Sequence, residues 1–451
     1  MCIRDRVHGV ADPFDELGLE LVDGVASLAD KSLLVAAGDD IAGEPRFAML
    51  QTIREGALRW LATSGEADRV RRAHAAYFLV LAEEGGAALG RGEDPAWLAR
   101  LEADHDNLLA ALAHLNATGN AEWGLRLGVA LFHFWERAEH LAEGTRQLGA
   151  VVALPRAHEH PAQLARALFS AGVLQHTVGD YEGASARHRT AVALYRQLGD
   201  AWGEAVALNG LGSALTRTSD ADGASEALHE AMATWQALGD ETGYSRSLCN
   251  VAFLERRRGG HQRARELYDE AADRFARGGD PLAQAWAISH AGEVARELGQ
   301  LDDAERLCRQ GLETFRALGS AWGIGSSLSD LGALARRRGD HDRARELYRE
   351  ALSQFDLLRH RRGIARLLEA LAVAATDRGD AGAVRALTLA GAAATLRLRI
   401  GAPLVGEEKR ELEGALTAAR ASLPAAEAEE GWRRGLAMPL SAAVSLAGSD
   451  A

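Results

Sequence analysis

The chain has 451 residues, of which 47% are hydrophobic and 25% charged, and its formal net charge at pH 7 is -13. This acidic surplus argues against a protein that coats nucleic acid, because phosphate binding draws on positive charge. Three cysteines without CxxC spacing indicate neither a disulfide framework nor a zinc site, and no run approaches the roughly 20 apolar residues that span a bilayer. Heavy use of Ala, Leu, Arg and Glu favours helix, so we expect a soluble, cytoplasmic, mostly α-helical protein.

Residues 1–6 have the sequence MCIRDR, which resembles the translation of a sequencing-library transposon adaptor. The alternative is a genuine polar N-terminus. We exclude these residues from the fold prediction and expect the native coding sequence to extend further upstream.

Residues 7–63 are predicted to form a small winged-helix-like module. Two strand-forming stretches, 32–35 and 46–50, flank a Gly-Asp-Asp turn region and have amphipathic helices on both sides. The candidate recognition helix, residues 21–30, carries Asp23 and Asp30 and no basic residue, so it would repel phosphates. We therefore predict no direct contact of this module with nucleic acid.

A helical linker at 64–118 and a degenerate repeat at 119–160 are predicted to follow. The stretches LADKSL at 28–33, TIRE at 52–55, HAAYF at 74–78 and LEADHDNL at 101–108 resemble the segment that follows the nucleotide-binding domain in STAND-type signalling ATPases. The resemblance implies that the module clamps an upstream nucleotide-binding domain and that the linker leads into the repeats.

Residues 161–400 contain a repeat with a period of forty residues. Gly-Asp or a close variant recurs every twenty positions, beginning at 179, 199, 219, 239, 259, 279, 299, 319, 339 and 379. Glycine after an apolar-periodic run ends a helix, and Asp begins the next one, so each interval predicts one helix. Two intervals make one helix pair, which predicts six units.

Columns of similar residues forty positions apart support this period. One column is aliphatic, one is small, and one supplies an aromatic wedge to the second helix of each unit. These columns are Leu168, Leu208, Leu248, Ile288, Leu328 and Leu368; Gly172, Gly212, Ala252, Gly292, Gly332 and Ala372; and Tyr195, Trp235, Phe275, Phe315 and Phe355.

In the second helix, alanine recurs at 184, 224, 264, 304 and 344 and, seven positions later, at 191, 231, 271 and 351. The Leu-Gly pair in the first helix and these paired alanines with the aromatic in the second resemble the tetratricopeptide repeat. The resemblance implies an all-α fold, a tetratricopeptide-like α-solenoid in which helix pairs form a right-handed superhelix. The sixth unit departs from the pattern, with Val384 and Thr395 at the Ala and aromatic positions, as expected of a terminal unit.

Residues 401–451 are predicted to form three short helices that cap the array. This stretch resembles the terminal segment of MalT-like and AfsR-like regulators, some of which continue into a LuxR-type DNA-binding domain. No output domain of that kind is recognisable here.

No catalytic, cofactor or metal site is predicted. Lys31-Ser32 mimics the end of a phosphate-binding loop, but Val25 and Asp30 stand where its glycines should be. No Ser/His/Asp set is recognisable. His158 and His160 could be taken for a metal-binding pair, but no third ligand lies at a known spacing. We expect a protein that binds a ligand or partner and catalyses no reaction itself, with any ATPase or cyclase domain upstream.

An arginine ladder is the candidate binding feature. Arg256, Arg296 and Arg336 lie forty residues apart in the last turns of successive first helices, on the face that lines the concave groove of tetratricopeptide arrays. We expect this groove to prefer an anionic ligand or acidic peptide. The alternative is that the arginines only complement helix dipoles. Other groove-facing positions hold Asn209, Arg246, Phe253, Trp286 and Ser329.

Two functions remain open at this point. In the first, the chain is the non-catalytic sensor and scaffold portion of a STAND-type transcriptional regulator, and its groove binds a protein, a peptide or a small anionic ligand. In the second, it is a free-standing tetratricopeptide adaptor for protein partners. A third reading, an enzyme regulated by its repeats, requires an upstream catalytic domain.

Overall fold

The computed structural model describes residues 21–39, 45–92, 94–358, 360–404 and 406–449. The chain divides into two compact units, Met1–Ala171 and Gly172–Ala451. The adaptor-like hexapeptide and residues 7–20 of the predicted winged-helix-like module lie outside the described residues.

The first unit begins with a helix, a two-stranded hairpin and a second helix. Their bounds are α1 (Leu21–Asp30), β1 (Val35–Asp39), β2 (Pro45–Ala48) and α2 (Gln51–Thr63). The strands are antiparallel, with Val35 opposite Ala48 and Ala36 opposite Phe47. The order agrees with the predicted module, whose assignment as a winged helix stays a prediction.

The predicted position of the first strand, 32–35, was wrong by three residues. Residues 31–34 form the turn that ends α1, in which the amides of Leu33 and Leu34 donate to the carbonyl oxygen of Leu28 at 2.9 and 3.2 Å. Ser32 lies in the left-handed region at a φ of 58°. Because these amides bond back to the helix, the strand begins only at Val35.

Five helices and a 3-10 turn complete the first unit within the described residues. Leu101, Leu108, Phe134 and Trp135 are fully buried and form its core. The last two helices form a pair where the degenerate repeat was predicted. The bounds are α3 (Ala67–Arg91), α4 (Pro95–Ala103), α5 (His105–Thr118), α6 (Ala121–Arg137), α7 (Leu141–Val152) and the turn Ala157–Glu159.

Six helix pairs follow with the predicted period, and the division between the units falls within the first of their helices. We call the first helix of each pair A and the second B. The A helices are α8 (Pro161–Val178), α10 (Ala201–Leu215), α12 (Glu241–Arg257), α14 (Pro281–Glu297), α16 (Ala321–Arg337) and α18 (Arg361–Thr376). The B helices are α9 (Tyr181–Leu198), α11 (Ala221–Leu238), α13 (His261–Gly278), α15 (Leu301–Leu318), α17 (His341–Leu357) and α19 (Asp380–Ile400).

The helix ends form as the Gly-Asp spacing predicted. Gly199 ends α9 in the left-handed region at a φ of 68°, a conformation that glycine adopts without strain. The carboxylate of Asp200 then accepts a hydrogen bond from the amide of Gly203 at 2.8 Å and begins α10. The same arrangement recurs at Gly239 and Gly279, and at Gly319 with the hydroxyl of Ser320 in place of the carboxylate. None of the described helices is long and apolar enough to cross a membrane.

The seam between successive units is an aromatic ring against a glycine. Phe315 at the end of α15 is fully buried and lies on Gly323 of the next A helix. A Cβ atom on Gly323 would lie 2.2 Å from the Phe315 ring, so only glycine allows this approach. Equivalent contacts are Tyr195 with Gly203, Trp235 with Gly243 and Phe355 with Gly363. The predicted burial of the aromatic wedge is therefore confirmed.

Three helices follow the array, as predicted: α20 (Gly406–Ala421), α21 (Ala425–Ala437) and α22 (Leu440–Gly448). Helix α21 packs directly on α19, where the Thr388 hydroxyl donates to the carbonyl oxygen of Gly431 at 3.1 Å. Thr395, which stands at the aromatic position of the last unit, donates to the carbonyl oxygen of Leu436 at 3.0 Å. The last unit therefore departs from the repeat because α21, and not another A helix, covers it.

Candidate ligand-binding groove

A cavity of about 1140 Å³ lies within the second unit, lined by A helices α12, α14, α16 and α18 on one side and by α20 on the other. We call this cavity the groove. Phe253, Ala333 and Val373 supply apolar surface at equivalent positions of three A helices. Eight arginines and six acidic residues make the rest of the wall strongly charged.

Arg256 belongs to a network within the groove wall. Its guanidinium donates to Glu293 and to Glu297 of the next A helix, at 2.6 Å in each case. Burial alone would lower the pKa of Arg256, but the two carboxylates outweigh burial and raise it. With 17% of its side chain exposed, Arg256 is held as a structural cation between units.

Arg336 and Arg366 also hold carboxylates. Arg336 donates to Asp377 at 2.8 Å and to Glu411 of α20 at 2.9 Å. Arg366 donates to Asp330 at 3.5 Å and lies 3.6 Å from the carboxylate of Glu408 on α20. Helix α20 is therefore joined to two A helices by ion pairs that face the groove.

The other five arginines of the groove differ from these three. Within the part of the chain that the structure describes, no carboxylate lies within 4.0 Å of their guanidinium groups; they are Arg217, Arg257, Arg296, Arg337 and Arg410. Arg217 is stacked on the ring of Phe253 at 4.5 Å. Burial lowers the pKa of Arg217, and the charges of Arg257 and Arg256 lower it further. The groove therefore presents guanidinium groups whose charge no carboxylate of the wall balances at close range.

Two acidic residues of the groove wall have opposite pKa shifts. Burial alone would raise the pKa of Glu293, but hydrogen bonds and positive charge from His290 and Arg256 hold that pKa well below its usual range. Burial raises the pKa of Asp330 to about 6, and the neighbouring Glu293 carboxylate raises it too, against the charge of Arg366. Asp330 therefore takes up a proton near pH 6, which makes the groove more positive at lower pH.

Five of the eight residues predicted for the groove line it: Phe253, Arg256, Arg296, Ser329 and Arg336. The structure does bring the arginine ladder to one wall, but only Arg296 lacks a carboxylate partner among the described residues.

The other three predicted groove residues lie elsewhere in the array. Asn209 accepts a hydrogen bond from the amide of Asn250 at 2.9 Å, which joins two A helices. Trp286 packs against the wedge ring of Phe315 at 4.7 Å between centroids. Arg246 is exposed and is not part of the cavity lining that the structure describes.

A second basic column was missed in the sequence. Arg217, Arg257 and Arg337 follow the forty-residue period one position after the ladder, with Glu297 at the intervening position, and all three arginines line the groove. The same periodicity that identified the ladder could have identified them. Arg366 and Arg410 have no such signal, because their position depends on how α18 and α20 lie across the cavity.

Chemically, this arrangement suits anion binding. Guanidinium groups offer planar pairs of donors for carboxylate or phosphate, and a concave wall limits solvent screening. Both cysteines within the described residues have a pKa raised by burial, to about 12 for Cys249. Neither thiol is therefore an activated nucleophile.

Comparison with known proteins supports the repeat assignment. A family model described as "Tetratricopeptide repeat" matches residues 203–277 and 283–356. Proteins of Mycobacterium bovis and Mycobacterium tuberculosis, each named "Putative HTH-type transcriptional regulator", are 34% identical to this chain over 204 residues. That match covers 43% of this chain and 22% of theirs, so it spans about a fifth of the relatives' length.

A solved structure is similar over most of the chain. It is a Signal Transduction ATPase with Numerous Domains (STAND) protein with a tetratricopeptide repeat sensor, from Pyrococcus horikoshii. The likeness covers 96% of this chain and 62% of that one, with 15% identity and a TM-score of 0.50, and it concerns the fold alone. The helix pairs of this chain are in phase with the matched repeats, so residues 203–277 and 283–356 form tetratricopeptide repeats.

Proposed function

We propose that this chain is the sensor and scaffold portion of a STAND-type transcriptional regulator, and that its groove binds an acidic segment of a partner protein, an acidic peptide or a small anionic ligand. One observation carries the proposal. Five guanidinium groups without a close carboxylate partner among the described residues line one cavity, in a protein whose net charge is -13.

The physical argument is one of uncompensated charge. A protein with an acidic surplus has carboxylates to spare, yet this cavity keeps them away from five of its arginines. The guanidinium of Arg217 loses part of its hydration to the ring of Phe253, and this desolvation lowers its pKa. An incoming carboxylate or phosphate restores charge-assisted hydrogen bonds to such groups without the cost of breaking an existing ion pair.

The regulator part of the proposal draws on the two named likenesses. The STAND protein has a tetratricopeptide sensor, and the mycobacterial relatives are named as HTH-type regulators. In our proposal, ligand occupancy of the groove is relayed through the N-terminal module to a nucleotide-binding domain upstream, in the cytoplasm. The chain itself is proposed to have no catalytic role.

The test uses a fluorescein-labelled oligoglutamate peptide as probe and fluorescence anisotropy as readout. The variant combines Arg257→Ala, Arg296→Ala and Arg337→Ala, which removes three groove cations that hold no carboxylate. We expect affinity to fall at least about tenfold, because charge-assisted hydrogen bonds are the stronger class. Affinity for the unaltered chain should also fall as salt rises.

The matched control variant removes three arginines that are not part of the groove lining. Arg263, Arg306 and Arg343 are exposed on B helices, and among the described residues they pair only with acidic residues of their own helices. The combined alanine variant at these positions has the same net charge as the groove variant. If both variants bind the probe equally well, the peptide responds to overall charge and the groove is not its site.

A further inference from the structure

Helix α20 forms one wall of the groove and carries its own acidic groups into it. Glu408, Arg410, Glu411 and Leu412 line the cavity. The carboxylate of Glu411 accepts from Arg336 at 2.9 Å, and that of Glu408 lies 3.6 Å from Arg366. Since the two glutamates are three positions apart, they lie on one face of the helix, with Leu412 beside them.

The packing of α20 is weak where it can be described. Leu416 and Ala419 are its only buried side chains among those the structure describes. The side chains of Glu408 and Glu411 remain 60% and 57% exposed although both lie near arginines. Ion pairs of this exposure are weak and are screened by salt, so they hold a helix only loosely.

The two helices that follow are attached differently. Helix α21 packs backbone against backbone on α19, since a Cβ atom on Gly435 would lie 2.2 Å from the carbonyl oxygen of Thr388. Helix α22 is joined to α19 by Arg385, which donates to the carbonyl oxygen of Leu446 at 2.6 Å. The terminal cap is therefore held to α19 by α21 and α22. Helix α20 contacts α21 through the guanidinium of Arg420, 5.4 Å from the centre of the Trp432 ring, so release of α20 from the groove breaks this contact but not those that α21 and α22 make with α19.

From this geometry we infer that α20 is an internal competitor for the groove, and that the partner is an acidic amphipathic helix with two carboxylates three residues apart followed by a leucine. Such a helix forms ion pairs with Arg336 and Arg366 in place of α20 and so displaces α20 from the groove. The inference rests on the proposed function of the groove and specifies both the ligand class and its regulation. This description of the partner is taken from α20 itself, whose sequence Glu408-Lys409-Arg410-Glu411-Leu412 supplies the two carboxylates that lie near Arg336 and Arg366.

The experiment uses a labelled synthetic peptide with the sequence of residues 406–421 as the probe, and the full chain as receptor. In the variant Glu408→Gln/Glu411→Gln, the internal helix competes less well, so the peptide should bind about fivefold more tightly than to the unaltered chain, the effect of two exposed ion pairs. A peptide with glutamine at both positions should bind more weakly than the acidic peptide to either chain.

The control variant is Glu413→Gln/Glu427→Gln. Glu413 is paired only with Lys409 of its own helix among the described residues, and Glu427 is exposed on α21. This variant has the same net charge as the first, so it should bind the peptide as the unaltered chain does. Equal affinity in the two variants would overturn the inference.

Hydrogen exchange gives an independent readout. At saturating peptide, amide exchange in residues 406–421 of the chain should accelerate at least about tenfold, since the released helix is too short to persist alone, while exchange in α21 stays unchanged. Peptide binding that leaves α20 protected would also overturn the inference. Oligoglutamate binding that depends on the groove arginines, without any displacement of α20, would leave the proposed function standing and remove only this inference.

Discussion

The A helices of the second unit have two faces that differ in how strictly the residue type repeats from one unit to the next. On the seam face, positions forty residues apart hold the same kind of residue, as in the glycines that receive an aromatic ring at 203, 243, 323 and 363. On the groove face, the equivalent positions 213, 253, 293, 333 and 373 hold Ser, Phe, Glu, Ala and Val. Each seam must accommodate an aromatic ring of the preceding unit, whereas on the groove face neighbouring units are joined by ion pairs such as Arg256 with Glu293, which do not require one residue type at every equivalent position. A repeated residue type therefore marks the seam face of the A helices, and a varied one marks the face that lines the groove.

Truncation of a wedge ring should have the largest effect. We expect Phe315→Ala to lower the free energy of unfolding by about 3–5 kcal/mol, because the ring is fully buried between two units. Chemical denaturation of the purified variant measures this change. An unaltered denaturation midpoint would show that the seam does not depend on the ring.

Substitution of the glycine under that ring tests the same seam from the other side. We expect Gly323→Ala to cost about 1–3 kcal/mol, since the added methyl group would overlap the Phe315 ring. Gly278→Ala is the matched control, because a Cβ atom there meets nothing within 4 Å. A Gly323→Ala variant as stable as the control would mean that neighbouring units separate without strain.

The ladder arginines separate structural from ligand-binding roles on the groove face. Arg256→Ala should cost about 1–3 kcal/mol, because it leaves the half-buried carboxylates of Glu293 and Glu297 without their shared cation. Arg296→Ala removes no ion pair of the described residues and should cost only about 0.5 kcal/mol or less. Thermal denaturation of the two variants checks the difference, and equal losses would contradict it.

The pH dependence of stability tests His188, a buried histidine of α9 that faces Gly172 and Gly210. Burial, together with the charge of the neighbouring His176, lowers the pKa of His188 to about 3. Between pH 6.5 and 3 the unfolded chain therefore binds a proton that the folded chain does not, so stability falls as pH falls. His188→Leu should make this slope shallower by up to about 1.4 kcal/mol per pH unit. Urea denaturation at several pH values measures it, and identical slopes would refute the assignment.

The sequence predicted the helix pairs well because their causes are local and repeated. Gly-Asp turns, the aliphatic column and the aromatic wedge each depend on residues within about one unit, and all recur in phase. The hairpin strand was misplaced because a single left-handed residue, Ser32, extended the turn after α1. Nothing in the strand propensity of residues 32–35 signals that turn.

By itself, the sequence determined the period, the helix ends and the wall to which the arginine ladder belongs. It could not determine which arginines are free, because Arg256 and Arg336 are neutralised by carboxylates 37 to 75 positions away. Only the tertiary structure decided that α20 lies along the groove and that Trp286 lies in a seam. Ion pairing depends on where side chains of distant helices meet in space, and a periodic pattern within one helix carries no information on that distance.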